Sequence, residues 1–259
     1  MFKMFRTDFY RMVTSWKFYV SIIGIAVVCL LNSLNFGSIF KQNMIEIFTA
    51  GDAPFFAIAI LILETLPYGT EFCCDWENRY IRAVIMRTSS VKYAVSKAVT
   101  CFLGAILVGI IGRLLLVVCL APFAAPITGV YIKSTIQSFP GAEWFFNNNH
   151  YFTWIIIESF ERSLQGSIFA VFSLYLSTKI TDIFVTLTMP IVAYYIYLNI
   201  ANIFNFPNFL WLSAIFENDG VFHNNLTHST LYAILFAVIP SIVFMYLFVK
   251  NVKRRLENG

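Results

Sequence analysis

Six times along this chain an apolar run reaches about 20 residues, the length a helix rising about 1.5 Å per residue needs to cross a hydrocarbon core about 30 Å thick. The runs lie at residues 18–37, 53–72, 97–121, 153–177, 183–203 and 229–249. Backbone inside lipid finds no water to bond, so runs of this kind are helices that satisfy their own hydrogen bonds. Composition agrees: 59% of the 259 residues are hydrophobic and 12% charged, against about a quarter charged in a soluble domain. The expected fold is an all-α integral membrane protein, a single transmembrane domain over residues 1–259 with six transmembrane helices. Five cysteines lie in spans or at a helix end, none in an external loop, and are expected as free thiols.

Lysine and arginine orient the spans. Four precede the first run, five lie between Arg79 and Lys97, Lys179 follows the fourth run, and Lys250, Lys253, Arg254 and Arg255 close the chain. The opposite loops hold only Lys41 and Lys133. Basic residues stay inside, so both termini are expected in the cytoplasm and the chain in a cell membrane, crossing it several times.

Before the first span, residues 1–17 read as an interfacial amphipathic helix. Phe2, Phe5, Phe9, Met12, Val13 and Trp16 recur at helical spacing, with Lys3, Arg6, Arg11 and Lys17 on the other faces. That pattern places aromatics in lipid and cations against anionic headgroups. No small-residue cleavage site follows, so the first span is expected to be retained. Outside, residues 204–228 contain NFLWLSAIF, too short to cross and too apolar for water, and read as a re-entrant or interfacial segment. Pro190 and Pro240 fall inside spans five and six, where kinks are expected.

The segment EFCCDWENRYIRAVIMR at 71–87 differs from everything around it. Trp76, Tyr80, Ala83 and Val84 share one helical face; Asp75, Arg79, Arg82 and Met86 share another, with Asp75 and Arg79 spaced as an i,i+4 ion pair. Thr88, Ser89 and Ser90 are capping residues for a new helix from Val91. A polar helix beneath a membrane bundle either presents a surface to a cytoplasmic partner or is a solvated turn.

Charges within spans cost several kcal/mol unless partnered, so each is a candidate. Arg113 and Glu161 lie 16 residues from the cytoplasmic ends of their spans and fall at similar depth, with Glu158 and Arg162 one turn apart. Arg113, Glu158, Glu161 and Arg162 can form one ionic cluster that either fixes helix packing or lines a pathway. Glu64 is neutral, faces a cavity, or reaches one of those arginines.

The sequence has no phosphate-binding loop, zinc-binding helix or nucleophile turn. Glu217, Asp219, His223 and His228 lie close enough to suggest a metal site, but at spacings of no common metal motif. Asn225-Leu226-Thr227 fits a glycosylation acceptor by pattern alone.

The layout of basic amphipathic helix, six spans with both ends inside and a polar helix between spans two and three resembles the permease subunit of a type-2 ABC exporter, over the whole chain. FCCDWENRYIRA is similar to the segment of Gram-positive members that runs Phe-x-x-Asp/Glu-Tyr-x-Asn-Gly-Thr-Ile-Arg-Asn. Phe72, Asp75, Asn78, Ile81 and Arg82 match, and Trp76 replaces an aromatic; Arg79 and Tyr80 stand where Gly-Thr is usual. The resemblance implies a coupling helix at 71–87, with Asp75, Trp76, Glu77, Asn78, Arg79, Tyr80 and Arg82 meeting a cytoplasmic ABC ATPase. It also implies a second permease copy or homologue as homo- or heterodimer partner, membrane lipid and no nucleic acid as further surroundings, and a Gram-positive source. This chain would hold no cofactor, ATP and Mg being bound by the ATPase, and would not be an enzyme. Its cargo would be an amphipathic molecule such as an antimicrobial peptide of the lantibiotic kind, or a drug. The alternatives are a membrane-embedded enzyme, or a channel or scaffold outside the ABC class.

Overall fold

The computed structural model describes residues 2–35, 37, 42–52, 57–86, 88–127, 132, 135–136, 139–216, 221–222 and 225–257, without the side chains of Arg82, Ala83, Pro140 and Glu257. Every regular element among them is helical, with one isolated bridge between Asn43 and Ala125. The α-helices are α1 (Phe2–Thr14), α2 (Trp16–Asn35), α3 (Met44–Gly51), α4 (Ala57–Thr65), α5 (Glu71–Glu77), α6 (Tyr80–Ile85) and α7 (Ser90–Leu120). They continue as α8 (Glu143–Asn147), α9 (Tyr151–Ser177), α10 (Ile183–Ile203), α11 (Leu212–Phe216) and α12 (Leu226–Glu257).

Among the described residues, four helices, coinciding with α2, α7, α10 and α12, are long and apolar enough to cross a membrane. They coincide with the expected spans at 18–37, 97–121, 183–203 and 229–249. The expected fourth span is α9, whose 27 residues suffice for a crossing but include Glu158, Glu161 and Arg162. The expected second span, 53–72, differs more. Its described helix ends at Thr65, turns follow to Thr70, and α5 starts at Glu71. Residues 53–56 lie outside the described residues.

Local chemistry sets the boundaries. Asn43 starts α3 with a capping box, its Oδ1 accepting from the Ile45 and Glu46 amides while Glu46 accepts from the Asn43 amide. Asp182 caps α10 through the Val185 amide at 3.0 Å. Ser89 caps α7 through Lys92, as expected, so α7 begins well before its apolar run. α10 and α12 run through Pro190 and Pro240.

α7 is the hub, packing against α1, α2, α3, α4, α9 and α12. Small residues allow the closest approaches, as in membrane bundles generally. A Cβ on Gly112 would stand 2.8 Å from the Ile25 Cβ and 3.1 Å from the Ile22 carbonyl oxygen. α1 lies against the base of α7, with Met12 fully buried at Gly104. The expected lipid-facing stripe of α1 is therefore divided: Phe2 and Trp16 are exposed, while Met12 packs in the protein core beside Phe9 and Val13.

Within the apolar segment at 204–228, the described residues 204–216 dock on the bundle. Leu212, Ile215 and Phe216 of α11 are buried with Leu164, Phe169 and Ala233. Aromatic donors satisfy its carbonyls: Trp211 Nε1 donates to Phe206 at 2.7 Å, Tyr232 to Phe209 at 2.7 Å, and Tyr197 to Leu210. Outward apolar faces remain on α10 (Phe184, Val192, Ile196) and α12 (Leu235, Ile239, Val243), as lipid contact requires. The five cysteines are free thiols.

Gly112→Ala should destabilise the fold by about 1–3 kcal/mol through overpacking against α2. Gly141→Ala, whose Cβ would meet nothing nearer than 3.5 Å, should leave the thermal unfolding midpoint in detergent unchanged.

Candidate functional site

Two buried ionic networks lie at different levels of α7. The first gathers at its base, where Tyr93, Ser96 and Lys97 share one face of the first turns. Lys97 is fully buried. Its Nζ lies 2.7 Å from Asp75 Oδ2, 3.5 Å from Asp8 Oδ1 and 4.0 Å from Glu71 Oε1. It also donates to the Tyr68 hydroxyl at 2.9 Å. Tyr68 donates to Asp8 at 2.9 Å, Tyr93 to Asp75 at 2.8 Å, and Ser96 to Asp8. Arg11 completes the set, 2.7 Å from Glu71 and 3.2 Å from Asp75, with its guanidinium 4.8 Å from the Tyr80 ring centre.

Burial works against the charge on Arg11, but Asp75 and Glu71 outweigh it and hold the guanidinium above its ordinary range. Burial pushes the Cys73 thiol up, close to the Thr186 hydroxyl.

This network corrects two expectations. Asp75 makes no pair with Arg79; it is buried and bound to Lys97, Arg11 and Tyr93 instead. The reason is that the expected single helix over 71–87 is two. α5 ends at Asn78, whose side chain donates back to the Cys74 carbonyl at 2.8 Å, and Arg79 takes a left-handed φ of 54°. Nor does Arg11 point at headgroups, since the acids of α5 claim it.

The turn makes Glu77, Asn78, Arg79 and Tyr80 an exposed corner between α5 and α6. Trp76 stands behind it, half-buried, with the Arg255 guanidinium 4.9 Å from its ring centre and the Phe72 ring stacked at 6.0 Å. Phe72 in turn meets Phe248 of α12 edge-on at 5.6 Å. Ile81 is buried, and the Arg82 side chain lies outside the described residues.

The second network lies about three quarters of the way along α7, at Arg113. Arg113 Nε is 3.0 Å from Asp52 Oδ1, and its Nη1 is 2.9 Å from Glu64 Oε1 and 3.1 Å from Ser163 Oγ. Of the roles open to Glu64, it reaches an arginine, and it also lines a cavity of about 70 Å³ with Asp52, Arg113, Arg162, Gln165 and Tyr194. Two glycines make room for it. A Cβ on Gly166 would lie 1.7 Å from Glu64 Oε2, and one on Gly109 would lie 2.5 Å from Glu64 Oε1.

Glu158 and Arg162 pair one turn apart at 2.9 Å, as their spacing predicts, and Arg162 also approaches Asp52 at 3.6 Å. Arg113 pairs with neither Glu158 nor Glu161, contrary to expectation. Positions 161 and 163 point in nearly opposite directions around a helix. Ser163 and Gly166 face Arg113, while Glu161 turns towards α12 and accepts from Thr230.

Asp8, Asp52, Glu71, Tyr68, Tyr93 and Lys97 were not singled out by sequence. A signal existed for Asp8, the sole acid in a basic helix and one turn from the buried Met12. Of the imagined metal ligands, Glu217, Asp219 and His223 lie outside the described residues, and no cluster of three potential ligands occurs among the described ones. Comparison of the chain with protein-family models, curated proteins and solved structures finds no match.

Arg113→Met leaves Asp52 and Glu64 buried without their cation and should cost about 3–5 kcal/mol. The loss should appear as a lower unfolding midpoint in detergent. Glu161→Arg combined with Arg113→Glu should not restore it.

Proposed function

We propose that this chain is the membrane-spanning permease subunit of an ATP-driven ABC exporter of the type-2 kind, taking its energy from a separate cytoplasmic ATPase. The observation that carries this reading is the exposed corner Glu77–Tyr80, whose root Asp75 is ion-paired at once to α1 and α7. A push on that corner moves Asp75, and buried ion pairs with two cations oblige Arg11 and Lys97 to follow. Through Trp76 and Phe72 the same corner also bears on α12.

The backbone at Arg79 adds independent support. The exporter segment carries glycine where this chain has Arg79, and the left-handed φ of 54° found there is the conformation glycine favours. Arginine departs from the pattern in side chain while keeping the turn the pattern encodes.

In this reading α2, the α3–α4 pair, α7, α9, α10 and α12 make six crossings, with the Lys97 network and both chain ends on the cytoplasmic side. A second permease copy, identical or homologous, lies alongside, and an amphipathic molecule passes outward between the two as they alternate. Bound ATP and Mg belong to the ATPase.

Co-expression with a candidate ABC ATPase sought among the neighbouring genes tests the proposal. The permease should co-purify with it and stimulate ATP hydrolysis in lipid. Glu77→Lys with Tyr80→Ala should cut that stimulation about tenfold, a loss of about 1.4 kcal/mol, at unchanged permease abundance. Arg79→Gly should preserve it, because the turn survives. Full stimulation by the Glu77/Tyr80 double variant, or no association with the ATPase, would refute the assignment.

A further inference from the structure

An open cleft of about 560 Å³ lies between α8, α9 and α12, within the range of small-molecule sites. It sits at the end of the bundle opposite the Lys97 network, since the C-terminal end of α12 meets Phe72 and Trp76 of α5 whereas the cleft lies at the N-terminal turns of α12. Trp144, Phe145, Ile157 and Leu231 make its apolar wall, and Asn225, Thr227 and Thr230 its polar one. Trp144 is 61% exposed, packs edge-on against Phe145 at 5.1 Å and stacks with His150 at 5.5 Å.

Thr230 links the cleft wall to Glu161, which is 1% exposed and lies outside the lining. Its Oε1 accepts from the Thr230 hydroxyl, while its Oε2 is buried with no hydrogen-bond partner. The nearby cations form their ion pairs with other acids: Arg162 with Glu158 at 2.9 Å and Asp52 at 3.6 Å, and Arg113 with Asp52 and Glu64. A buried carboxylate with one oxygen unpaired is costly in isolation and attracts a charged donor.

We propose that this cleft is a binding site for small amphipathic amines, with Glu161 as the group that recognises the protonated nitrogen. The apolar body of the ligand lies against Trp144 and Phe145, whose ring faces also favour a cation. Its ammonium reaches past Thr230 and donates to the free Glu161 oxygen. Neutral analogues fill the same wall without that bond, and anionic ones meet the carboxylate unfavourably. The site is complete within this chain and holds whether or not an ATPase docks on the Glu77–Tyr80 corner.

The test uses the purified full chain in phosphatidylcholine nanodiscs, without ATPase. The probes are a long-chain alkylamine with a bromine-bearing tail and the alcohol and carboxylate of the same chain. Quenching at the site is the difference between the native protein and Trp144→Phe, which removes the contribution of probe dissolved in lipid. The amine should quench Trp144 at about tenfold lower concentration than the alcohol, and the carboxylate less than either. Glu161→Gln, which keeps an acceptor for Thr230, should bring the amine to the level of the alcohol. Equal quenching by amine and alcohol in the native protein overturns the proposal even if the Gln variant fails to fold. An undiminished preference for the amine in a folded Gln variant overturns the role of Glu161. Neither result bears on ATPase stimulation, so the two proposals fail separately.

Discussion

The ammonium of Lys97 holds the lower half of this molecule together. It draws one acid from the N-terminal helix and two from α5 around itself, fully buried, at the base of the central helix. Charges so placed cannot be left unpaired, so each element that contributes one is fixed relative to the others. The tyrosines at 68 and 93 take up remaining hydrogen-bonding capacity, which makes the network nearly saturated and raises the cost of partial disruption. A helix that would otherwise float at the bilayer surface thereby becomes part of the bundle.

Higher along α7, arginine replaces lysine and the geometry changes with it. A guanidinium is a planar fork able to serve several acceptors at once, and Arg113 serves Asp52, Glu64 and Ser163. Glycine at 109 and 166 makes the space: only without side chains there can α7 and α9 close around the Glu64 carboxylate. The same scarcity of bulk permits the α2–α7 contact at Gly112, so small residues place both the apolar seam and the charged one.

How much was legible in sequence follows from how local each signal is. The limits of α9 and α10 came through because apolar length is written in consecutive residues, and the start of α7 because Ser89 is a capping residue just before it. The break at Arg79 did not, because arginine carries no intrinsic preference for the left-handed conformation and the helical spacing of Trp76, Tyr80 and Ala83 continues across it. Lys97 read as a cation of the loop, since lysine at the start of a span ordinarily reaches back to water; burial among three acids from remote segments left no local trace. The pairing of Glu158 with Arg162 was visible one turn apart, whereas Asp52 finds Arg113 across 61 residues.

The fork at Arg113 also bears on how the chain enters the bilayer. Asp52 and Glu64 are twelve positions apart and would lie about 18 Å from each other along a straight helix, yet both bond to one side chain. Asp52 and Glu64 therefore do not lie along one straight helix. Both acids also leave the ribosome well ahead of the residue that neutralises them, because synthesis runs from the N-terminus. In the proposed six-crossing topology the α3–α4 pair would not reach its depth on its own hydrophobicity but would wait for α7 to bring the missing charge, and membrane integration would then be ordered by electrostatics rather than by position in the chain.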